Sequence, residues 1–201
     1  QTRCSRKGNL TILVPGRDSR RTVGVCAHID TLGLMVRAIT PKGELLFRKI
    51  GGPILPTLDG EYCRIYTRDG RMYTGTVLSL SPAVHVFDDA ATRPRDMDNM
   101  YVRLDEKVSS AEEVRALGIE VGDYICYDPK TVFTESGFLK SRFIDDKGSV
   151  AVLLTLLRWA ADGKKRPVYN TEITFTVHEE QGHGGATFSP ELSELLVVDM
   201  G

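Results

Sequence analysis

The sequence is poor in the features that assign a function quickly. It has four cysteines in 201 residues, Cys4, Cys26, Cys63 and Cys126. None forms a C-x-x-C pair and no spacing is finger-like. That favours structural thiols in a reducing, cytoplasmic compartment over a disulfide framework or a zinc finger. No apolar run approaches the roughly 20 residues that a membrane helix needs, and no stretch has the form of a signal peptide. Charge of one sign is not in excess: 26 basic residues stand against 27 acidic ones, a formal net charge of −1. Neither a nucleic-acid nor a membrane partner is indicated. Internal repeats and low-complexity tracts are absent. What remains is ordinary for a soluble globular protein, with 41% hydrophobic and 26% charged residues. The length suits one large domain or two small ones. The chain starts at Gln1 and stops at Met200-Gly201, straight after the apolar run 195–198, so part of a longer polypeptide is expected.

Three apolar, β-forming segments read as buried parallel strands: TVGVCAHID (22–30), TEITFTVHEE (171–180) and ELLVVDMG (194–201). Between them lie a helix over about 147–161, stopped at Gly163, and a shorter one over about 190–194. Strand, helix, strand, helix, strand is the α/β pattern, a mostly parallel sheet flanked by helices. Residues 54–139 differ in texture. Short β-like pieces at 61–67, 71–80, 100–105 and 123–128 are separated by turns, which suggests a small all-β barrel or sandwich. One helix, 109–117, interrupts it, with Ser109 or Ser110 as N-cap and Gly118 as stop. The expected organisation is a catalytic α/β domain, 1–53 and 140–201, with an inserted β domain, 54–139. The polar stretch 88–99 is expected to be a mobile surface loop.

The segment HEEQGHGG (178–185) invites a zincin reading, H-E-x-x-H. That motif needs histidines at i and i+4 on one helix face. The second histidine here, His183, comes five residues after His178, and the glycines weaken any helix. A different pattern accounts for the glutamates. Each α/β strand finishes in groups that can ligate metal: His28 and Asp30, then Glu179 and Glu180, then Asp199. Sites in open parallel sheets form beyond the carboxyl ends of the strands. Asp145 and Asp146 add a fourth source, at a helix start that favours negative charge. So many carboxylates cannot crowd together unpaired. One or two divalent cations resolve the crowding, and oxygen plus imidazole ligands suit zinc, cobalt or manganese. Two metals need a ligand that touches both, which an aspartate can be, and such a pair lowers the pKa of a bridging water. That water needs a proton acceptor not tied to metal, and two consecutive glutamates can divide those tasks.

The ordered set AHIDTLGLMV (27–36), IGG (50–52), KSRFIDDKGSVA (140–151), EEQGHGGA (179–186) and VVDMG (197–201) resembles the M42 family of dinuclear metallo-aminopeptidases, which includes glutamyl and tetrahedral aminopeptidases. The resemblance implies a zinc-exopeptidase-like fold and hydrolysis of N-terminal residues from peptides. It implies that His28, Asp145, Glu180 and Asp199 bind two divalent metals, with the Asp145 carboxylate bridging them and the Asp145–Asp146 peptide bond cis. Asp30 would fix the His28 tautomer, and Glu179 would be the general base. It further implies that the inserted domain drives homo-oligomerisation, from dimer to dodecamer. A fifth ligand, a C-terminal histidine, and the family's N-terminal helix do not occur in these residues. The chain alone is therefore expected to bind one metal weakly and to have little or no activity.

Blander roles are expected for the other candidates. Alternation turns His178 away from Glu179, toward packing. His183 serves the Gly-rich loop or touches substrate, and His85 lies on the insert surface. Lys147 balances charge, Cys26 packs, and Arg142 pairs with a carboxylate and is not assigned to substrate. The basic 2–8 segment is a solvated approach to a strand. Two rival functions share the scaffold: another dinuclear hydrolase (dipeptidase, carboxypeptidase or deacylase) and a non-catalytic assembly protein.

Overall fold

The computed structural model describes residues 1–163 and 166–200. In chain order these form β1 (Thr2–Cys4), β2 (Leu10–Val14), β3 (Asp18–His28), β4 (Gly33–Ile39), β5 (Leu45–Ile50), β6 (Tyr62–Tyr66), β7 (Met72–Ser79) and β8 (Met100–Leu104). The helix α1 (Ala111–Ala116) follows, then β9 (Tyr124–Tyr127), β10 (Val132–Phe133) and β11 (Leu139–Lys140). The helix α2 (Ile144–Ala161), β12 (Tyr169–Thr176) and β13 (Glu194–Val197) complete the order. The chain divides into two compact units, Gln1–Thr31 with Ser141–Gly201, and Leu32–Lys140.

The first unit is built on a five-stranded sheet in the order β1-β2-β12-β3-β13. The three strands expected to be parallel are so: β12 runs parallel to β3, and β13 parallel to β3. The sheet as a whole is mixed, because β2 joins β12 antiparallel and β1 folds back on β2. The basic N-terminal segment thus contributes an edge hairpin, not only an approach to a strand. Alternation along β12 sends Ile173 and Phe175 to one face. There they bury with Val25, Ala27 and Leu153 of α2, forming the core under the helix. Cys26 on β3 is buried, and burial pushes its thiol up to about 11, as befits a packing residue. The other face of β12 is buried as well, with Thr174 and Thr11 sharing a hydroxyl hydrogen bond of 3.0 Å.

Two expectations for this unit are corrected. The short helix at 190–194 does not form. Ser189 Oγ accepts from Glu191 N, and Ser193 N donates to Thr22 O, so a turn delivers the chain directly to β13. The third strand ends at Val197, so Asp199 lies just past it; Gly201, the last residue of the expected strand, lies outside the described residues.

The second unit is a closed barrel, β4-β5-β8-β7-β6-β9, with antiparallel neighbours throughout. Its interior is filled by Leu34, Leu45, Phe47, Ile65, Val77, Met100, Val102 and Ile125, all fully buried. Closure requires β4, because Leu34 pairs with Ile125 of β9. The compact unit therefore begins at Leu32 and not near 54. The expected helix is α1, capped reciprocally: Ser110 Oγ accepts from Glu113 N, and the Glu113 carboxylate accepts from Ser109 N at 2.6 Å. The 88–99 loop is irregular but tied down. Arg93 pairs with Asp89 at 2.7 Å and Arg95 with Asp59 at 3.0 Å. Among the described residues no helix is long and apolar enough to cross a membrane.

Candidate metal centre

The register of the first unit's sheet places its functional groups on one rim. Thr176, the last residue of β12, lies opposite His28, the last residue of β3. Val197, the last of β13, lies opposite Cys26, two residues before His28. The chain therefore leaves three neighbouring parallel strands at one level, and the residues just beyond them gather there. Asp145 and Asp146 arrive from the start of α2, where they have non-helical backbone angles and a cis peptide bond between them.

His28 is the hub and is almost wholly buried. Its Nε2 lies 3.0 Å from Asp145 Oδ1, 3.7 Å from Asp199 Oδ1 and 3.9 Å from Glu179 Oε2. Its backbone N–H donates to Asp146 Oδ2 at 3.1 Å. On the far side of the ring, Nδ1 lies 3.0 Å from the Asp30 carbonyl oxygen and 3.6 Å from the Asp30 carboxylate. An Nδ1–H donated to that carbonyl leaves Nε2 free to face the carboxylates as a lone pair. The Asp30 carboxylate has a second task that spacing alone does not show. It accepts the backbone N–H groups of Glu179, at 3.2 Å, and Glu180, at 3.1 Å. One aspartate thus ties the end of β3 to both glutamates.

Two sets of potential ligand atoms lie within 4.8 Å of one another: His28, Asp145 and Glu180, and His28, Asp146 and Asp199. The four expected ligands are all in these sets, and Glu179 is in neither. Asp146 is an addition. It is fully buried, and its Oδ1 has no hydrogen-bond partner. A buried carboxylate oxygen without a partner is costly, and a nearby cation is one way to answer it. Lys147 directs its ammonium to the Ile29 carbonyl at 2.7 Å. The donor set, imidazole nitrogen with several carboxylate oxygens, fits a borderline divalent cation such as zinc, cobalt or manganese.

Burial disfavours the charged form of the His28 imidazole. The hydrogen bond to Asp145, that to the Asp30 carbonyl and the charges of Asp199 and Asp30 outweigh it, so the pKa is raised. Burial, and then the charge of Asp145, also hold the Glu180 carboxyl above its ordinary value. Without a cation, both groups bind a proton more tightly folded than unfolded. Their contribution to stability is fully present below the unfolded values and is lost as pH rises through the raised folded ones. A cation competes with those protons. Zinc binding should therefore release protons, and should be weaker below neutral pH than above it. Titration calorimetry in buffers of differing ionisation enthalpy measures both; affinity that does not change with pH would exclude His28 as a ligand.

The two flanking histidines stand apart from the hub. His178 lies beyond the end of β12 with φ of 69°, so strand alternation does not govern it. Its ring stacks on that of His183, with centroids 4.8 Å apart, and His183 Nδ1 meets Lys7 Nζ at 3.2 Å.

Comparison with known proteins gives this rim a setting. YhfE of Bacillus subtilis (strain 168) is 44% identical over 196 residues, covering 97% of this chain and 57% of that protein. The structure of the aminopeptidase APDkam598 from the archaeon Desulfurococcus kamchatkensis superposes with a TM-score of 0.86 at 25% identity, over 100% of this chain and 53% of that one. Pyrococcus horikoshii TET1 peptidase, which can assemble into a tetrahedron or a large octahedral shell, superposes with a TM-score of 0.83 at 24% identity, over 99% of this chain and 58% of that one, and bears on the fold alone. The chain spans a little over half the length of these relatives. The model of the M42 glutamyl aminopeptidase family matches residues 8–201, which include every member of the cluster around His28, and the chain belongs to the M42 peptidase family.

Proposed function

We propose that the complete protein is a metal-dependent aminopeptidase that removes N-terminal residues from peptides. The observation that carries this reading is the convergence on buried His28 of carboxylates from three other chain segments, Asp145 and Asp146, Glu179 and Glu180, and Asp199. His28, Asp145, Glu180 and Asp199 would hold two divalent cations, with Asp145 between them. Bound there, the cations would lower the pKa of a water and polarise the scissile carbonyl.

The protein's own groups supply the rest. Glu179 reaches the cluster with a half-exposed carboxylate and belongs to neither ligand set. It would take the proton from the attacking water and hand it to the departing amine. Glu180, whose proton is held by burial and by the charge of Asp145, gives that proton up when it becomes a ligand. Asp30 fixes the distance between His28 and both glutamates through its two carboxylate oxygens. Self-association through the barrel unit is part of the same reading.

Other dinuclear hydrolases place ligands in the same way, so the substrate decides. The complete protein should cleave peptides with a free α-amine and lose that activity when the amine is acetylated. Equal cleavage of both would favour a deacylase or carboxypeptidase. A protein that cleaves neither under any divalent metal would favour an assembly role.

A further inference from the structure

The segment that carries Glu179 and Glu180 is not part of a strand or an α-helix. After Thr176 it runs through two short 3₁₀ turns, Glu179–Gln181 and Gly184–Thr187. Its backbone is held in places a free chain seldom visits. His178 is left-handed at φ 69°, an unusual state for a residue with a Cβ. Gly184 packs so closely on the base that a Cβ there would sit 3.1 Å from both N and Cα of Glu179. Such a path persists only when the surroundings over-determine it.

Asn9 is what holds it. This residue ends the β1–β2 turn and is 2% exposed. Its Oδ1 accepts the Val177 N–H at 2.9 Å, where the segment begins. Its Nδ2 donates to the Gly184 carbonyl at 2.8 Å and to Thr187 Oγ1 at 2.7 Å, where the segment ends. The amide orientation follows from its partners, since Val177 N can only donate and Gly184 O can only accept. Asn9 is itself fixed: Ser5 N donates to Asn9 O at 2.9 Å, and Asn9 N donates to Ser5 Oγ at 3.1 Å. If Asn9 served only to finish β12, the bond from Val177 would suffice. The two donor bonds reach the far end of the excursion and close it into a loop.

We propose that Asn9 is a positioning residue for the reaction, acting through the 177–187 loop to set Glu179 and Glu180 against His28. The proposal rests on the reading of Glu179 as general base. Its prediction about the loop itself does not.

The test uses the complete, metal-loaded protein and four variants, with backbone hydrogen exchange and steady-state kinetics on each. Asn9→Asp keeps the size and the acceptor for Val177 N–H, and sets an oxygen against the Gly184 carbonyl. It should speed exchange selectively within residues 178–187 and lower kcat by roughly 100-fold, the scale of a small misplacement of a reacting group, with KM little changed. Thr187→Val removes a single bond and should lower kcat about five-fold. Combined with Asn9→Asp, it should lower kcat further, because the Thr187 hydroxyl can turn to donate to the aspartate and Thr187→Val removes that remaining contact. Glu179→Gln should lose turnover without altering loop exchange. If that variant stays active, the base reading fails while the exchange result still judges the anchor. The proposal is overturned if Asn9→Asp leaves exchange in 178–187 and kcat unchanged. It is overturned equally if exchange rises uniformly across the unit while kcat and KM shift together. Should Asn9→Asp fail to fold, Thr187→Val decides alone, and unchanged exchange and kcat in it overturn the proposal.

Discussion

Glu179→Gln in the complete protein is expected to lower kcat by roughly 10²- to 10⁴-fold, the range a positioned acid–base group contributes, while cation content stays the same. The reason lies in two neighbouring carboxylates with different surroundings. Glu180 is part of a ligand set with His28 and Asp145, and burial with the charge of Asp145 raises its pKa. Glu179 is half-exposed, 3.9 Å from His28 Nε2, and outside both sets. An amide at 179 keeps the shape and loses only the proton acceptor. Glu180→Gln should behave oppositely, losing cation before it loses anything else. The pair of variants is checked by elemental analysis of the purified proteins beside their kinetics. If Glu179→Gln sheds metal and Glu180→Gln retains it, the two tasks are assigned the wrong way round.

Asp30→Ala is expected to have the second-largest effect, lowering zinc affinity by roughly 10- to 100-fold, as removal of a group that orients a ligand does. Two losses combine. The His28 ring loses the carboxylate 3.6 Å from Nδ1, although the Asp30 backbone carbonyl at 3.0 Å remains. The amides of Glu179 and Glu180 lose their acceptor. Asp30→Asn separates these, since one amide oxygen can accept from one of the two N–H groups but not from both with separate oxygens. Its affinity should fall between those of wild type and Asp30→Ala. Competition against a zinc indicator measures all three. If the alanine variant binds as wild type does, Asp30 does not organise the centre.

The parts of this arrangement differ in how plainly the residues announce them. Strand ends were legible because the β-forming second half of β3 finishes in His28, and the alternating stretch of β12 is followed, just past Thr176, by the Glu179–Glu180 doublet. That strands so patterned end in ligand types, in this order, is a local signal repeated along the chain. The barrel's N-terminal limit was not legible. Gly33–Ile39 and Leu45–Ile50 alternate as any sheet strand would, and only the distant pairing of Leu34 with Ile125 assigns them to the barrel. Asn9 was invisible for the same reason in stronger form. It sits in the polar run SRKGN, and its partners Val177, Gly184 and Thr187 lie some 170 residues away. The doublet Asp145–Asp146 showed that carboxylates gather at the head of α2, but not that the second would be buried with one oxygen unpartnered. His178 misled by alternation, which stops being a guide where β12 ends at Thr176.

The central claim is that the rim around His28 is a two-cation centre with Glu179 left free. Anomalous diffraction from crystals of the complete protein grown with zinc tests it most directly. Two peaks about 3.5–4 Å apart are predicted, with Asp145 between them, His28, Glu180 and Asp199 as further ligands, and the Glu179 carboxylate touching neither. No peak at His28, or a zinc held by Glu179 or by the His178–His183 pair, would contradict it.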